Sequence, residues 1–128
     1  MAAETSELNQ LSNSRYLIVI AGLFGAAGVV LSAAAAHQSL PGLSTAANFL
    51  LFHAPALLAL SVIAGHRLVT IAAWTLALGV ALFSGDLAAR VYLQTGLFPT
   101  AAPAGGVLMI AGWLGLAASA LFLPRSNG

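Results

Sequence analysis

Cysteine is absent from this chain, and so is lysine. Without thiols there is no disulfide, no thiolate zinc site and no cysteine nucleophile. Without lysine, the four cations are all arginines: Arg15, Arg67, Arg90 and Arg125. Charge of either sign is scarce, since 5% of the residues are Asp, Glu, Lys or Arg, against roughly 25% in a soluble domain. A net charge of +1 with no basic run gives a nucleic-acid backbone nothing to hold, so no nucleic-acid partner is expected. What the chain has in abundance is apolar surface, 60% of its residues. A fold with so few charges cannot cover itself in water. The 128 residues have room for one domain, and that domain belongs in a lipid bilayer.

The apolar residues fall into four runs, at 16–36, 45–64, 68–93 and 103–123. Each has about the 20 residues that a spanning helix needs. Ahead of them, residues 1–14 are polar, carry Glu4 and Glu7, and offer only Leu8 and Leu11 to an apolar face. They read as a frayed tail with at most a turn of helix at the membrane surface, leaving 15–125 as the transmembrane domain. The first run follows Arg15 and contains Ala33-Ala34-Ala35, which looks like a signal-peptidase site. It is longer than the roughly 7–15 residues of a signal-peptide core, so an uncleaved helix is the expectation. Pro41-Gly42 breaks a loop over 37–44, Pro55 predicts a kink in the second helix close to His53, and Gly65-His66-Arg67 makes a tight turn. Gly96 and Pro99 break the third connection, and Pro103 suits the first turn of the fourth helix. The fold class is therefore an all-α membrane protein, a four-transmembrane-helix antiparallel bundle.

Arg15, Arg67 and Arg125 share one side of that topology, and the two loops on the other side have no lysine or arginine. The positive-inside rule then predicts both termini in the cytoplasm (N-in/C-in). Small residues mark the helix faces: Ala73, Ala77, Ala81, Gly85 and Ala89 on the third helix, Gly22, Gly25, Ala26, Gly28 and Ser32 on the first, and Ala111, Gly115 and Ser119 on the fourth. Such spacing allows close approach of membrane helices, within one chain or between copies of a homo-oligomer.

Asp86 and Arg90 are the costly residues. A charge at the centre of a membrane helix is disfavoured by about 2.5–3.5 kcal/mol or more. Four residues apart on one helix, with the acid N-terminal to the base, they are placed to pair. Two readings stand side by side. In one, the charges neutralise each other and Arg90 snorkels to the headgroups. In the other, the pair lines a polar cavity. Counted inward from Thr45, His53 lies about 12 Å deep, and Asp86 counted from Leu93 lies about 10 Å deep. At this matching depth a pocket in the outer leaflet is expected from His37, Asn48, His53, Asp86 and Arg90, with Ser84 and Tyr92 in the same half.

The chemistry open to such a cluster is narrow. His53 with Asp86 has the makings of a general-base pair and Ser84 of a nucleophile, but no catalytic motif accompanies them, and no enzyme is expected. His37, His53 and Asp86 are three potential metal ligands without a spacing that pins them, so neither metal nor cofactor is expected. A proton or ion path would need ionisable groups in the other half, where only Ser61, Thr70, Thr75 and Ser119 stand.

Several motifs, in order and spaced over 15–123, carry a family likeness. They are a Gly-rich first helix ending in Ala36-His37, Phe52-His53-Ala54 followed by Leu57-Leu58-Ala59-Leu60, Leu82-Phe83-Ser84-Gly85, Thr95-Gly96, Ala102-Pro103-Ala104-Gly105-Gly106 and Gly112-Trp113. On these the sequence resembles the YgdD-like small inner-membrane proteins, the family known as domain of unknown function 423. The resemblance implies a four-helix bundle in the bacterial plasma (inner) membrane, of no established activity. The chain departs from that pattern at Asp86, where a serine is expected, and at Ala88-Ala89-Arg90, where a more apolar stretch is expected. The ion pair is then a subgroup feature, whereas His37 and His53 follow the family pattern. Two functions remain in view: an outer-leaflet pocket for a small polar ligand or lipid headgroup, and a structural or assembly protein whose polar groups only fix helix register.

Overall fold

The four apolar runs become four helices in the computed structural model, which describes residues 1–125: α1 (Ala2–Gln38), α2 (Pro41–Val62), α3 (Arg67–Tyr92) and α4 (Ala101–Ser119). All four are long and apolar enough to cross a membrane. Successive helices pack against each other in chain order, α1 on α2, α2 on α3 and α3 on α4, with a smaller contact between α1 and α3. The core lies along α2 and α3, where Leu43, Leu57, Val69, Leu76 and Val80 are fully buried. The connections alternate between two ends. The terminal end has the α2–α3 turn, the start of α1 and the end of α4; the loop end has the α1–α2 and α3–α4 connections.

Pro41, read as a loop residue, turns out to open a helix, and Pro103 lies in the first turn of α4 as expected. Pro41 is the first residue of α2, where its missing N–H is one the helix leaves unpaired anyway. The α1–α2 loop therefore shrinks to Ser39 and Leu40, with Ser39 in the left-handed region (φ 51°) closing α1. Pro103 is the third residue of α4, again within the unpaired first turn.

The polar N-terminal stretch is helical from Ala2 rather than frayed. A short helix does not nucleate easily in water, but residues 2–14 extend one that the membrane span has already started. Side chains also tie it down. Ser14 Oγ donates to the Ser61 carbonyl at 2.8 Å and Gln10 Nε2 to the Gly65 carbonyl at 3.1 Å. With Thr70 Oγ1 donating to the Ala64 carbonyl at 2.6 Å, one carbonyl in the last turn of α2 and two in the turn that follows are satisfied.

Close packing of α3 on α4 rests on glycines that the four-residue stripe did not single out. A Cβ on Gly105 would stand 2.6 Å from the Gly79 carbonyl oxygen and the Phe83 nitrogen, and one on Gly112 would meet Leu76 at 2.6 Å. Four residues turn a helix by about 400°, so a stripe at that spacing drifts by about 40° per step and leaves the interface. Ala73 and Ala77 are accordingly buried while Ala81 is exposed. Gly105 and Gly112, seven apart, drift by only about 20°.

Candidate functional site

The polar residues of the loop half form two separate groups. The first surrounds Asp86, which is fully buried. Its Oδ2 accepts from Arg90 Nε at 2.8 Å, the i,i+4 geometry that the sequence predicts. Its Oδ1 accepts the backbone N–H of Leu97 at 2.8 Å, across the α3–α4 connection. One carboxylate thus holds its own helix and the loop that follows it. Gly96 is packed into this arrangement: a Cβ there would lie 2.6 Å from Asp86 Oδ1 and 2.9 Å from Arg90 Nη2. Gln94, left-handed at φ 57°, turns the chain back towards it.

The second group is a chain of hydrogen bonds through His53, which is buried. Trp113 Nε1 donates to His53 Nε2 at 3.2 Å. An indole N–H only donates, so Nε2 is the acceptor and the imidazole proton is on Nδ1. Nδ1 then donates to the Phe49 carbonyl at 2.8 Å. Phe49 stacks against the imidazole, with centroids 6.0 Å apart, and packs on Phe83 at 4.6 Å. Both imidazole nitrogens are therefore engaged.

The expected five-residue pocket is not assembled. Ser84 Oγ donates to the Ala46 carbonyl at 3.1 Å, which sets the register of α3 on α2. From that level Asp86 is two residues towards the loop end and His53 is seven towards the terminal end, an axial separation of about 13 Å. The depth match fails because α2 starts at Pro41, four residues before Thr45, so His53 lies about 6 Å deeper than counted. His37 and Asn48 are exposed and make no side-chain hydrogen bond among the described residues. Only Asp86 and Arg90 remain together. Ser84 has its hydroxyl bonded to backbone, and among the described residues no three of His, Asp or Glu converge as metal ligands would.

Trp113 is the partner the sequence reading missed, having been noted only in the Gly112-Trp113 motif. It stands 12 residues into α4 and His53 stands 12 residues into α2. The two depths agree once both helix starts are placed, and a half-buried indole N–H needs an acceptor.

The family model described as "Protein of unknown function (DUF423)" matches residues 21–106. The chain belongs to this family. The UPF0382 inner membrane protein YgdD of Escherichia coli (strain K12) is 31% identical over 125 residues, covering 89% of this chain and 95% of its own. The UPF0382 membrane protein SH2409 of Staphylococcus haemolyticus is 35% identical over 95 residues, 73% of this chain and 76% of its own. No solved structure matches. The matched stretch contains Asp86, Arg90 and His53 but ends before Trp113. The chain is a membrane protein of a family whose function is unknown.

Proposed function

We propose that this chain is a non-enzymatic structural or assembly protein of the bacterial plasma membrane, with both termini cytoplasmic and polar groups that fix helix register. The observation that carries this reading is the buried Asp86 carboxylate, with one oxygen on Arg90 and the other on the Leu97 amide. It acts as a clamp between α3 and the connection to α4. The Ser84 and His53 bonds support the same role deeper in the fold. The one buried side-chain nitrogen or oxygen left without a partner among the described residues is His66 Nδ1, at the opposite end. The small-residue faces left on α1, with open space around Gly22, would serve contact with a second copy in the bilayer.

A reduced form of the outer-leaflet ligand pocket has one observation in its favour. Arg90 is half exposed, its two terminal nitrogens take no hydrogen bond among the described residues, and it borders a recess of about 410 Å³ with Thr95 and Phe98. A small anion or lipid headgroup would sit there.

Thermal unfolding of Asp86→Asn, Arg90→Gln and the double variant in mild detergent separates the two. For a clamp, Arg90→Gln leaves a buried carboxylate uncompensated and lowers the midpoint most, and adding Asp86→Asn recovers part of the loss. Additive losses, with a bound small molecule released from all three variants, would instead make Arg90 part of a binding site.

A further inference from the structure

At the terminal end an open groove of about 610 Å³ lies between the start of α1 and the α2–α3 turn. Thr5, Ser6, Asn9 and Asn13 of α1 line one wall, and Arg67 and Thr70 of α3 line the other. The α1 residues recur at helical spacing, so a single face of the extension is turned inward, and that face is polar. A helix merely resting on its neighbour would turn its leucines inward. Here Leu8 and Leu11 are 61% and 62% exposed on the other side. At about 100° per residue, Glu4 and Glu7 also fall on the outer side, and among the described residues no carboxylate lines the groove.

The lining is rich in unused donors. Ser6, Asn9, Asn13 and Arg67 make no side-chain hydrogen bond among the described residues, whereas Gln10 and Thr70 bond to the Gly65 and Ala64 carbonyls of the turn. Arg67 is exposed and has no ion pair among the described residues, where the single pair is Asp86–Arg90. One guanidinium, two amides and a hydroxyl around a space without acid suit an anion with several acceptor oxygens. Arginine matches phosphate in particular, through two parallel N–H···O bonds. Arg67 is also the first residue of the spanning helix α3, with the apolar Ile71 one turn further in, so the groove straddles the membrane surface.

We propose that this groove binds a phosphate group, gripped by Arg67 with Asn9, Asn13 and Ser6 as further donors. The phosphate belongs either to a lipid headgroup reached from the bilayer or to a phosphate ester taken from water. The proposal goes beyond the clamp at the loop end and does not depend on it.

The test is native mass spectrometry of the full chain in mild detergent, titrated separately with phosphatidylglycerol, with diacylglycerol of the same acyl chains and with glycerol 3-phosphate. Phosphatidylglycerol is expected to add one molecule per chain, and diacylglycerol none. Arg67→Gln should weaken that binding about tenfold, the effect of losing one charge-assisted contact, while Arg15→Gln leaves it unchanged. Arg67 is exposed and unpaired, so the variant folds, and Asn9→Ala with Asn13→Ala provides a second reduction that leaves the charge in place. Binding of glycerol 3-phosphate with the same Arg67 dependence would assign the phosphate to a soluble ester. Equal binding of diacylglycerol, binding indifferent to Arg67→Gln, or no adduct with either phosphate compound would overturn the proposal.

Discussion

The two ends of the molecule treat an arginine in opposite ways. At the loop end, Arg90 is bonded to a fully buried aspartate, which also takes a backbone N–H, and a glycine leaves room for both. At the terminal end, Arg67 shares a groove with hydroxyls and amides, and among the described residues no carboxylate lines it. The first arrangement spends both carboxylate oxygens on partners within the fold. The second leaves donors open. The difference locates rigidity at one end and binding capacity at the other, although the sequence advertises the loop end by placing both its charges inside a span.

The glycine in each connection gives the sharpest contrast. Gly96→Ala forces a methyl against Asp86 and Arg90, and is expected to cost about 1–3 kcal/mol by overpacking, seen as a lower unfolding midpoint in detergent. Between the ends, Trp113→Phe removes the donor to His53 Nε2 and leaves that buried nitrogen unpaired, a loss of about 1–2 kcal/mol on the same scale. Gln10→Ala at the terminal end removes one exposed hydrogen bond, for about 0.5 kcal/mol, with faster proteolysis of residues 2–9 as the more sensitive readout. Smallest of all is Gly65→Ala, where the new methyl would stand 3.3 Å from the flexible Gln10 side chain. A shift within about 0.5 kcal/mol is expected there. If Gly65→Ala destabilised as much as Gly96→Ala, the contrast between a locked and an open end would collapse.

Much of the fold was legible because membrane spans leave a plain record. Four apolar runs, each long enough to cross, became four helices. Two local features misled. Pro41 was read as a breaker when it opens a helix, and polar residues 2–14 were read as a tail because their own apolar face is weak. Their helicity comes from the span they continue and from Gln10 and Ser14, whose partners are carbonyls far away in sequence. For the site, Asp86–Arg90 was legible since i,i+4 pairing follows from helix geometry alone. The Leu97 amide was not, because the third partner depends on how an eight-residue connection folds back. His53 was assigned to the wrong neighbours through a four-residue error in where α2 begins, enough to move it about 6 Å along the axis. The groove at the terminal end escaped notice for a related reason: its wall is formed by residues taken to be unstructured.

Amide hydrogen exchange at Leu97, in lipid nanodiscs, tests the clamp most directly. The connection it belongs to is largely exposed, so an unbonded amide there would exchange quickly. Bonded to the buried Asp86 carboxylate, the Leu97 amide is expected to exchange at least about tenfold more slowly than those of Thr95 and Phe98, and Asp86→Ala should abolish the difference. Exchange at Leu97 as fast as at its neighbours, unchanged in that variant, would contradict the assignment of Asp86 as the residue that holds the α3–α4 connection in place.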